Sequence, residues 1–301
     1  MTTPGRHESP ARSDRPFRLG VAQVAPRLGD VDQNLRMHLD SIERAKVSGV
    51  DLLVFPELSA TGYDLRDLVP EVAQPAAGAF AAAVREAAGS MAVVFGFVEE
   101  DPAYRFHNAA IYVDGPNPGS IHRKVYLPTY GMFDEGRYFA PGDRIRAIPT
   151  RFGRMGLLIC EDAWHLSCAV VLQAEDIDFL VILANSPARG VGGPGFDSER
   201  AWSTLLETYS TFLSVPVAFA NRVGFEEGVG FWGGSRILGP GGQTLAVAPE
   251  LEPAFISAIV DHRETRKQRI LAPLARDERL ELTRSELERI QYERANRRNP
   301  S

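Results

Sequence analysis

The sequence predicts an α/β fold in a single domain, and three features of its 301 residues support that prediction. Short apolar runs alternate with longer segments in which apolar residues recur at helical spacing. Several of these runs are apolar throughout, as in strands that are covered on both faces. Neither a short-period repeat nor a Ser/Gly-rich linker divides the chain, so the alternation indicates one layered unit.

The predicted elements follow one another from residue 17 onwards. A helix is predicted over residues 31–48, with Asp30 or Asp32 as its N-cap, and an alanine-rich helix over residues 76–88. The stretch 239–242, which is rich in glycine, indicates a hairpin turn. The predicted strands are residues 17–23, 51–55, 92–98, 109–113, 155–159, 179–183, 217–220 and 255–260.

The two ends of the chain differ from its centre. Residues 1–16 are polar and lack the apolar segment of a signal peptide, so a disordered N-terminal arm is predicted. Residues 17–260 carry the alternating pattern of the main domain. Residues 261–301 hold many charges of both signs, and they predict an exposed helix, a turn at Pro273 and a second helix near 283–296. This extension is either a solvated tail or part of a subunit interface.

Composition and charge exclude several classes of protein. The net charge of -6 argues against a nucleic-acid-binding protein. The longest apolar runs are too short to span a bilayer. Two cysteines, Cys160 and Cys168, fit a reducing compartment, where a cysteine is catalytic or simply buried. The sequence therefore predicts a cytoplasmic protein that binds neither nucleic acid nor membranes.

Cys160 ends a fully apolar run in the segment MGLLICEDAWH. Asp162 is a good N-cap and predicts a helix from about residue 163 to 174. A thiol beside a helix N-terminus and near a cationic lysine has its thiolate stabilised, which raises its reactivity at neutral pH. The alternative for an isolated cysteine is a small buried apolar residue, and we expect Cys168, on the predicted helix, to be of that kind.

A metal site is a further alternative for the same segment. Its ligands would be Cys160, Glu161, Asp162 and His165. Consecutive residues seldom point at one centre, and the six histidines show no i, i+4 pairing, so this alternative is disfavoured.

Two more segments place a reactive side chain in a comparable position. LLVFPELSATGYD carries Glu57 just beyond a strand, and HRKVYLPTYGMFDEGRYFAPGD carries Lys124 and Glu135. In this order the three segments resemble the Glu–Lys–Cys signature of the nitrilase, or carbon–nitrogen hydrolase, superfamily. The resemblance extends over residues 17–280 and includes the motifs HNAAIYV, ILANSP, ANRVG, GGSRILGPGG and RKQRILAPLARDERLEL.

The resemblance implies a four-layer α-β-β-α sandwich and a covalent mechanism. Glu57 would act as general base, Cys160 as nucleophile, and Lys124 with the backbone N–H of Glu161 would stabilise the oxyanion. Glu135 matches a second glutamate that helps to position substrate and lysine. No metal or cofactor is implied, because the lysine supplies the positive charge. Members commonly form dimers, so a homodimer or larger homo-oligomer is predicted, with residues 261–301 reaching along the partner.

The substrate is less sharply indicated. CEDAW and YGMFDEGRYF resemble the glutaminase domain of glutamine-dependent NAD synthetases, but the SGGxDS motif of their synthetase half does not occur in the sequence. EGRYFAPGD resembles stand-alone N-carbamoyl amine or aliphatic amidases, whereas CEDAW departs from the CWE of nitrile hydrolases. The sequence predicts a hydrolase of a small linear amide or N-carbamoyl compound. The alternatives are a glutaminase-type subunit that delivers ammonia to a separate synthetase and a non-catalytic binding subunit.

Six residues are predicted to contribute to the substrate pocket. Trp164 and Tyr130 could equally be packing residues. Arg189, if it faces the pocket, would suit a carboxylate-bearing substrate such as glutamine or a carbamoyl amino acid. The six residues are Tyr63, Tyr130, Trp164, Asn185, Ser186 and Arg189.

Overall fold

The computed structural model describes residues 15–116, 119–190 and 195–298. Residues 1–14 of the predicted disordered arm lie outside the described residues. The strands are β1 (Phe17–Gln23), β2 (Leu52–Val54), β3 (Ala92–Glu100), β4 (Phe106–Val113), β5 (Ser120–Arg123), β6 (Ile148–Thr150), β7 (Gly153–Ile159), β8 (Phe179–Ala184), β9 (Val217–Asn221), β10 (Val223–Glu226), β11 (Val229–Trp232), β12 (Arg236–Leu238), β13 (Thr244–Val247) and β14 (Ala254–Val260).

Helices connect these strands and extend beyond the last one. Two short 3₁₀-helices, Arg66–Leu68 and Cys160–Trp164, also occur within the described residues. The α-helices are α1 (Val31–Val47), α2 (Val69–Val72), α3 (Ala79–Ala88), α4 (Glu135–Tyr138), α5 (Leu166–Ala174), α6 (Asp197–Phe212), α7 (His262–Leu271), α8 (Leu274–Asp277) and α9 (Leu280–Arg298).

The strands form two large sheets that pack face to face. The first has the order β14-β1-β2-β3-β4-β5 and the second the order β13-β12-β9-β8-β7-β6, with the hairpin β10-β11 beside them. Strands β1–β3 pair in parallel in the first sheet, and β7–β9 in the second. Contacts of β1 with β9, and of β4 and β5 with β7, join the inner faces. Helices α1 and α3 cover the first sheet, and α5 and α6 the second. The predicted α/β four-layer sandwich is confirmed.

The apolar runs of the sequence occupy the positions that their pattern predicts. Every residue of Phe179–Ala184 is buried, because this strand lies between two others and is covered on both faces. Asp30 caps α1 by accepting a hydrogen bond from the backbone N–H of Gln33, as predicted. The predicted turn at 239–242 connects β12 and β13.

The prediction for Asp162 is wrong. Residues Cys160–Trp164 form a 3₁₀-helix, and α5 begins only at Leu166. An N-cap side chain accepts from an N–H of the helix that it precedes, whereas the Asp162 carboxylate accepts from backbone and side-chain groups on other elements. The sequence prediction also missed the long helix Asp197–Phe212, the edge strands β5 and β6, and the hairpin β10-β11.

The C-terminal extension is helical and largely exposed. Helix α7 starts directly after β14, and the chain continues through the short α8 after Pro273 into α9. Within the part of the chain that the structure describes, no helix combines the length and the apolarity that a membrane span requires. The domain boundary at residue 260, the interface role of this extension and the cytoplasmic location stay predictions.

Candidate active site

Glu57 lies three residues beyond β2, in a turn that packs tightly against β3. The backbone of Leu58 has a φ of 45°, a left-handed conformation that is strained for leucine. Gly96 makes room for this turn, because a Cβ there would lie 2.3 Å from the backbone nitrogen of Leu58. The carbonyl of Gly96 also accepts a hydrogen bond from the N–H of Ala60. The carboxylate is thereby carried on a rigid backbone at the carboxyl end of a parallel strand.

Lys124 follows β5 directly, and two carboxylates share its ammonium group. Its Nζ donates to Oε1 of Glu57 and to Oε1 of Glu135, both at 2.7 Å. All three side chains are buried. Glu135 is the first residue of α4, so three separate segments converge on one ammonium group.

Cys160 enters the same cluster from the second sheet. It follows β7, is buried, and has a φ of 45°, a further strained position for a residue with a side chain. Electrostatic interactions connect its thiol to Glu57, Lys124 and Glu135, and the thiol also interacts with the backbone of Asn185. The residues predicted as base, nucleophile and electrostatic stabiliser are therefore brought together, with Glu135 beside them.

The expectation of a stabilised thiolate is wrong. Burial, reinforced by the negative charges of Glu57 and Glu135, raises the pKa of the Cys160 thiol well above its ordinary value, although Lys124 opposes this. No α-helix starts at the thiol to favour the anion, because α5 begins at Leu166. A thiol with a raised pKa holds its proton at neutral pH, so a nucleophilic role for Cys160 would require a base that removes this proton.

Two carboxylates beside one ammonium group make the charges in the cluster interdependent. Burial works to lower the pKa of Lys124, but Glu135 and Glu57 raise it well above its ordinary value, so the ammonium stays charged. Burial, together with the charge of Glu57, raises the pKa of Glu135 to about 7 in spite of Lys124. The net charge of the site therefore changes near neutral pH.

Two further hydrogen bonds reach Glu57, one from Asn108, which the sequence did not indicate, and one from Asn185, which it predicted only as a pocket residue. Asn108 donates from Nδ2 to Oε1 of Glu57 at 2.8 Å, and lies 3.5 Å from Oε2 of Glu135. The backbone N–H of Asn185 donates to the other oxygen of Glu57 at 2.8 Å. An amide within the apolar strand HNAAIYV was the signal for Asn108, since a buried amide needs partners.

Three of the predicted pocket residues are buried beside the cluster. Tyr63 donates its hydroxyl to Oε1 of Glu135 at 2.6 Å, and its backbone N–H to the buried carboxylate of Glu226. The side-chain amide of Asn185 is buried and has no hydrogen-bond partner among the described residues. Ser186 accepts from the indole N–H groups of both Trp202 and Trp232, an arrangement typical of packing.

The other three predicted pocket residues are exposed. Trp164 packs edge-on against the buried Trp202. Tyr130 donates its hydroxyl to the carboxylate of Glu161 at 2.8 Å. The guanidinium of Arg189 lies 4.9 Å from the ring centre of Phe133, which packs edge-on against Tyr130, and its charge acts on Tyr130. A negative and a positive group thus interact with Tyr130, which also interacts electrostatically with Cys160.

The other reactive side chains close to Cys160 in the sequence have partners outside the cluster. Cys168 is buried in the core between α5 and the second sheet, as predicted for a packing residue. The carboxylates of the disfavoured metal site point in different directions, because Glu161 is bound to Tyr130 and Asp162 to His122.

Comparison with known proteins identifies the family. Residues 18–270 match the carbon–nitrogen hydrolase family. The chain is 31% identical over 257 residues to a glutamine-dependent NAD(+) synthetase of Acinetobacter baylyi, covering 84% of this chain and 46% of that protein. It is 30% identical over 197 residues to an N-carbamoylputrescine amidase of Arabidopsis thaliana, covering 62% of this chain and 64% of that protein.

A solved structure shows the same fold. The carbon–nitrogen hydrolase from Helicobacter pylori G27 superposes with a TM-score of 0.79 at 23% identity, over 91% of this chain and 99% of that chain. The family match over residues 18–270 shows that the chain belongs to the carbon–nitrogen hydrolase family, and the predicted resemblance is confirmed. The chain spans about half the length of the NAD(+) synthetase that it matches, 46% of that protein.

The raised pKa of Glu135 predicts a pH dependence of stability. The folded protein keeps this proton between the ordinary pKa of 4.5 and about 7, whereas the unfolded chain has released it. Glu135 therefore contributes a decrease in the free energy of unfolding as the pH rises through this window, on the order of 2 kcal/mol. Burial lowers the pKa of His38 from 6.5 to about 4, which contributes a change of opposite sign, so the contribution of Glu135 is the difference in pH dependence between wild type and Glu135→Gln. Denaturant titrations at about pH 5 and about pH 7.5 measure this difference.

The exposed Glu71 provides the matched control for that measurement. Glu71→Gln should keep the pH dependence of the wild type. An unchanged dependence in Glu135→Gln would contradict the assignment of this proton to Glu135.

Proposed function

We propose that the protein hydrolyses a non-peptide carbon–nitrogen bond in a small linear amide or N-carbamoyl compound and releases ammonia through a cysteine thioester. The observation that carries this proposal is the buried Lys124 ammonium, 2.7 Å from both Glu57 and Glu135, beside the strained Cys160. Membership of the carbon–nitrogen hydrolase family supports the class of reaction.

In the proposed acylation, Glu57 takes the thiol proton while Sγ of Cys160 forms a bond to the carbonyl carbon. The carbonyl oxygen becomes an oxyanion, which the ammonium of Lys124 and the backbone N–H of Glu161 stabilise. The tetrahedral intermediate then breaks its carbon–nitrogen bond, and protonated Glu57 gives its proton to the departing ammonia. The raised pKa of the thiol makes this base necessary.

In the proposed deacylation, Glu57 removes a proton from water, and the hydroxide oxygen attacks the thioester carbon. The carbon–sulfur bond breaks, the acid leaves, and Cys160 recovers its proton from Glu57. Two fixed donors, the N–H of Asn185 and the amide of Asn108, keep the Glu57 carboxylate oriented through both half-reactions. Glu135 holds Lys124 from the opposite side.

We predict that Cys160→Ala lowers ammonia release by at least about 1000-fold, because it removes the nucleophile. The assay uses a panel of aliphatic amides, N-carbamoyl compounds, glutamine and nitriles. The matched control is Cys168→Ala, which alters the other buried thiol and should keep most of the activity. Equal turnover by wild type and Cys160→Ala would contradict the mechanism, and an inert wild type would favour the non-catalytic binding subunit.

A glutaminase-type subunit is the second candidate, and a specific feature favours it. Glu161 and Arg189, of opposite charge, flank Tyr130 at the exposed side of the site. This pair would suit the ammonium and the carboxylate of an amino-acid amide such as glutamine. The relative from Acinetobacter baylyi is a glutamine-dependent enzyme, which points in the same direction.

Arg189→Gln tests whether Arg189 recognises a substrate carboxylate. If Arg189 binds a substrate carboxylate, the variant should raise KM for glutamine or a carbamoyl amino acid about tenfold or more and leave KM for a simple aliphatic amide unchanged. The control is Arg36→Gln, which removes an exposed arginine on the outer helix α1. Equal effects on charged and uncharged substrates would exclude carboxylate recognition by Arg189.

The predicted homodimer is part of the proposal. Helix α5 has no charged residue, and its outer face exposes Leu166, Val170 and Val171, a type of surface that is common at subunit contacts. We predict that sedimentation equilibrium gives a dimer for the wild type and a monomer for Val170→Glu, because the substitution buries a charge. The control is Val47→Glu at an exposed position of α1, which should leave the dimer intact. A monomeric wild type would contradict the proposal.

A further inference from the structure

Asp162 has more hydrogen bonds than any capping role requires. Its side chain is fully buried. Oδ1 accepts from the backbone N–H of Val125 at 2.9 Å and of Tyr126 at 3.0 Å. Oδ2 accepts from the backbone N–H of Ile159 at 3.1 Å and from Nε2 of His122 at 2.9 Å. A carboxylate has about four acceptor positions, and here each is occupied.

The donors lie on both sides of the sandwich. Val125 and Tyr126 are the two residues after Lys124, and His122 is on β5 of the first sheet. Ile159 is the residue before Cys160, at the end of β7 in the second sheet. No backbone ladder pairs β5 with β7. The Asp162 carboxylate therefore joins the backbone that carries the lysine to the backbone that carries the thiol.

We propose that Asp162 is a positioning residue that fixes the ammonium of Lys124 relative to the thiol of Cys160. The inference rests on the proposed function, in which these two groups act on the same carbonyl. Lys124 has a long flexible side chain, so its placement depends on where its backbone is held. Asp162 holds this backbone through two N–H groups and the nucleophile's strand through a third.

The hydrogen-bond inventory explains why an aspartate is needed here. All four groups that face the carboxylate are donors, provided that His122 carries its proton on Nε2. An asparagine has one acceptor oxygen and one NH₂ group, so its NH₂ would face donors on one side. Asp162→Asn therefore keeps the size of the side chain but breaks the bridge between Ile159 and the Lys124 segment.

The experiment measures the rate at which iodoacetamide modifies Cys160, followed by intact mass and peptide mapping across a pH series. This measurement needs no substrate. In Asp162→Asn, loss of the aligned Lys124 charge should slow modification at neutral pH about tenfold and move the pH midpoint upward. If Asp162→Asn acted only by removing a negative charge, it would favour the thiolate, so modification of Cys160 would become faster and the pH midpoint would move downward. With a substrate identified in the ammonia-release panel, Asp162→Asn should have a lower kcat than the wild type and a KM within about twofold of the wild-type value.

The matched control is Asp178→Asn. Asp178 is also a buried aspartate whose carboxylate accepts a backbone N–H of β7, that of Arg154 at 2.9 Å. Asp178 lies near the opposite end of β7 from Cys160. Asp178→Asn should therefore lower the melting temperature and leave the pH profile of Cys160 modification by iodoacetamide unchanged. A merely structural Asp162 would behave in the same way.

Two results would overturn the inference: a profile for Asp162→Asn that matches the control, or faster modification of Cys160. If Asp162→Asn does not fold, the inference is tested with His122→Ala, which removes one of the four hydrogen bonds to the Asp162 carboxylate. This milder variant should slow modification about threefold, and an unchanged rate would overturn the inference. A wild type without turnover on the panel would contradict the proposed function alone, since the modification profiles still test the bridge.

Discussion

The structure depends on one buried interaction, the ammonium of Lys124 shared between the carboxylates of Glu57 and Glu135. Ionisable groups removed from water are stable in their charged forms only if each is paired and hydrogen-bonded. Asn108, Tyr63 and the backbone N–H of Asn185 provide the additional bonds. The donors and acceptors come from β4, α4 and the segments after β2, β5 and β8, so the sandwich must be assembled before the cluster is satisfied.

The same burial changes how the nucleophile has to work. The N-terminus of an α-helix next to Cys160 would have favoured the thiolate, but a 3₁₀-helix occupies that place and α5 starts later. Burial raises the pKa of the Cys160 thiol. In the proposed mechanism, negative charge on sulfur therefore forms only when Glu57 takes the proton. In the proposed mechanism this couples activation to the substrate, because a carbonyl must be present to accept the attack. It also protects the resting thiol from unwanted electrophiles.

The sequence predicted the parts of this structure that depend on local pattern. The apolar run 179–183 and the cap at Asp30 follow from periodicity and from a short-range hydrogen bond. The motifs led to Glu57, Lys124, Glu135 and Cys160, which the fold brings together. Asp162 was misassigned because capping is judged from neighbours in sequence, whereas its partners Val125 and His122 are 37 and 40 residues away. Asn108 was missed for the same reason, since its partner Glu57 is 51 residues away.

The positions of these residues separate the proposed chemistry from substrate choice. The groups that would break the bond lie buried at strand ends, where rigid backbone fixes them. Tyr130 and Arg189 lie on exposed loops beside the site, and loops change more readily than strands. Relatives at about 30% identity can therefore include both a glutamine-dependent synthetase and an N-carbamoylputrescine amidase. In the proposed mechanism the shared chemistry would come from the buried cluster, whereas the choice between the two candidate substrate classes would depend on Glu161 and Arg189 near Tyr130.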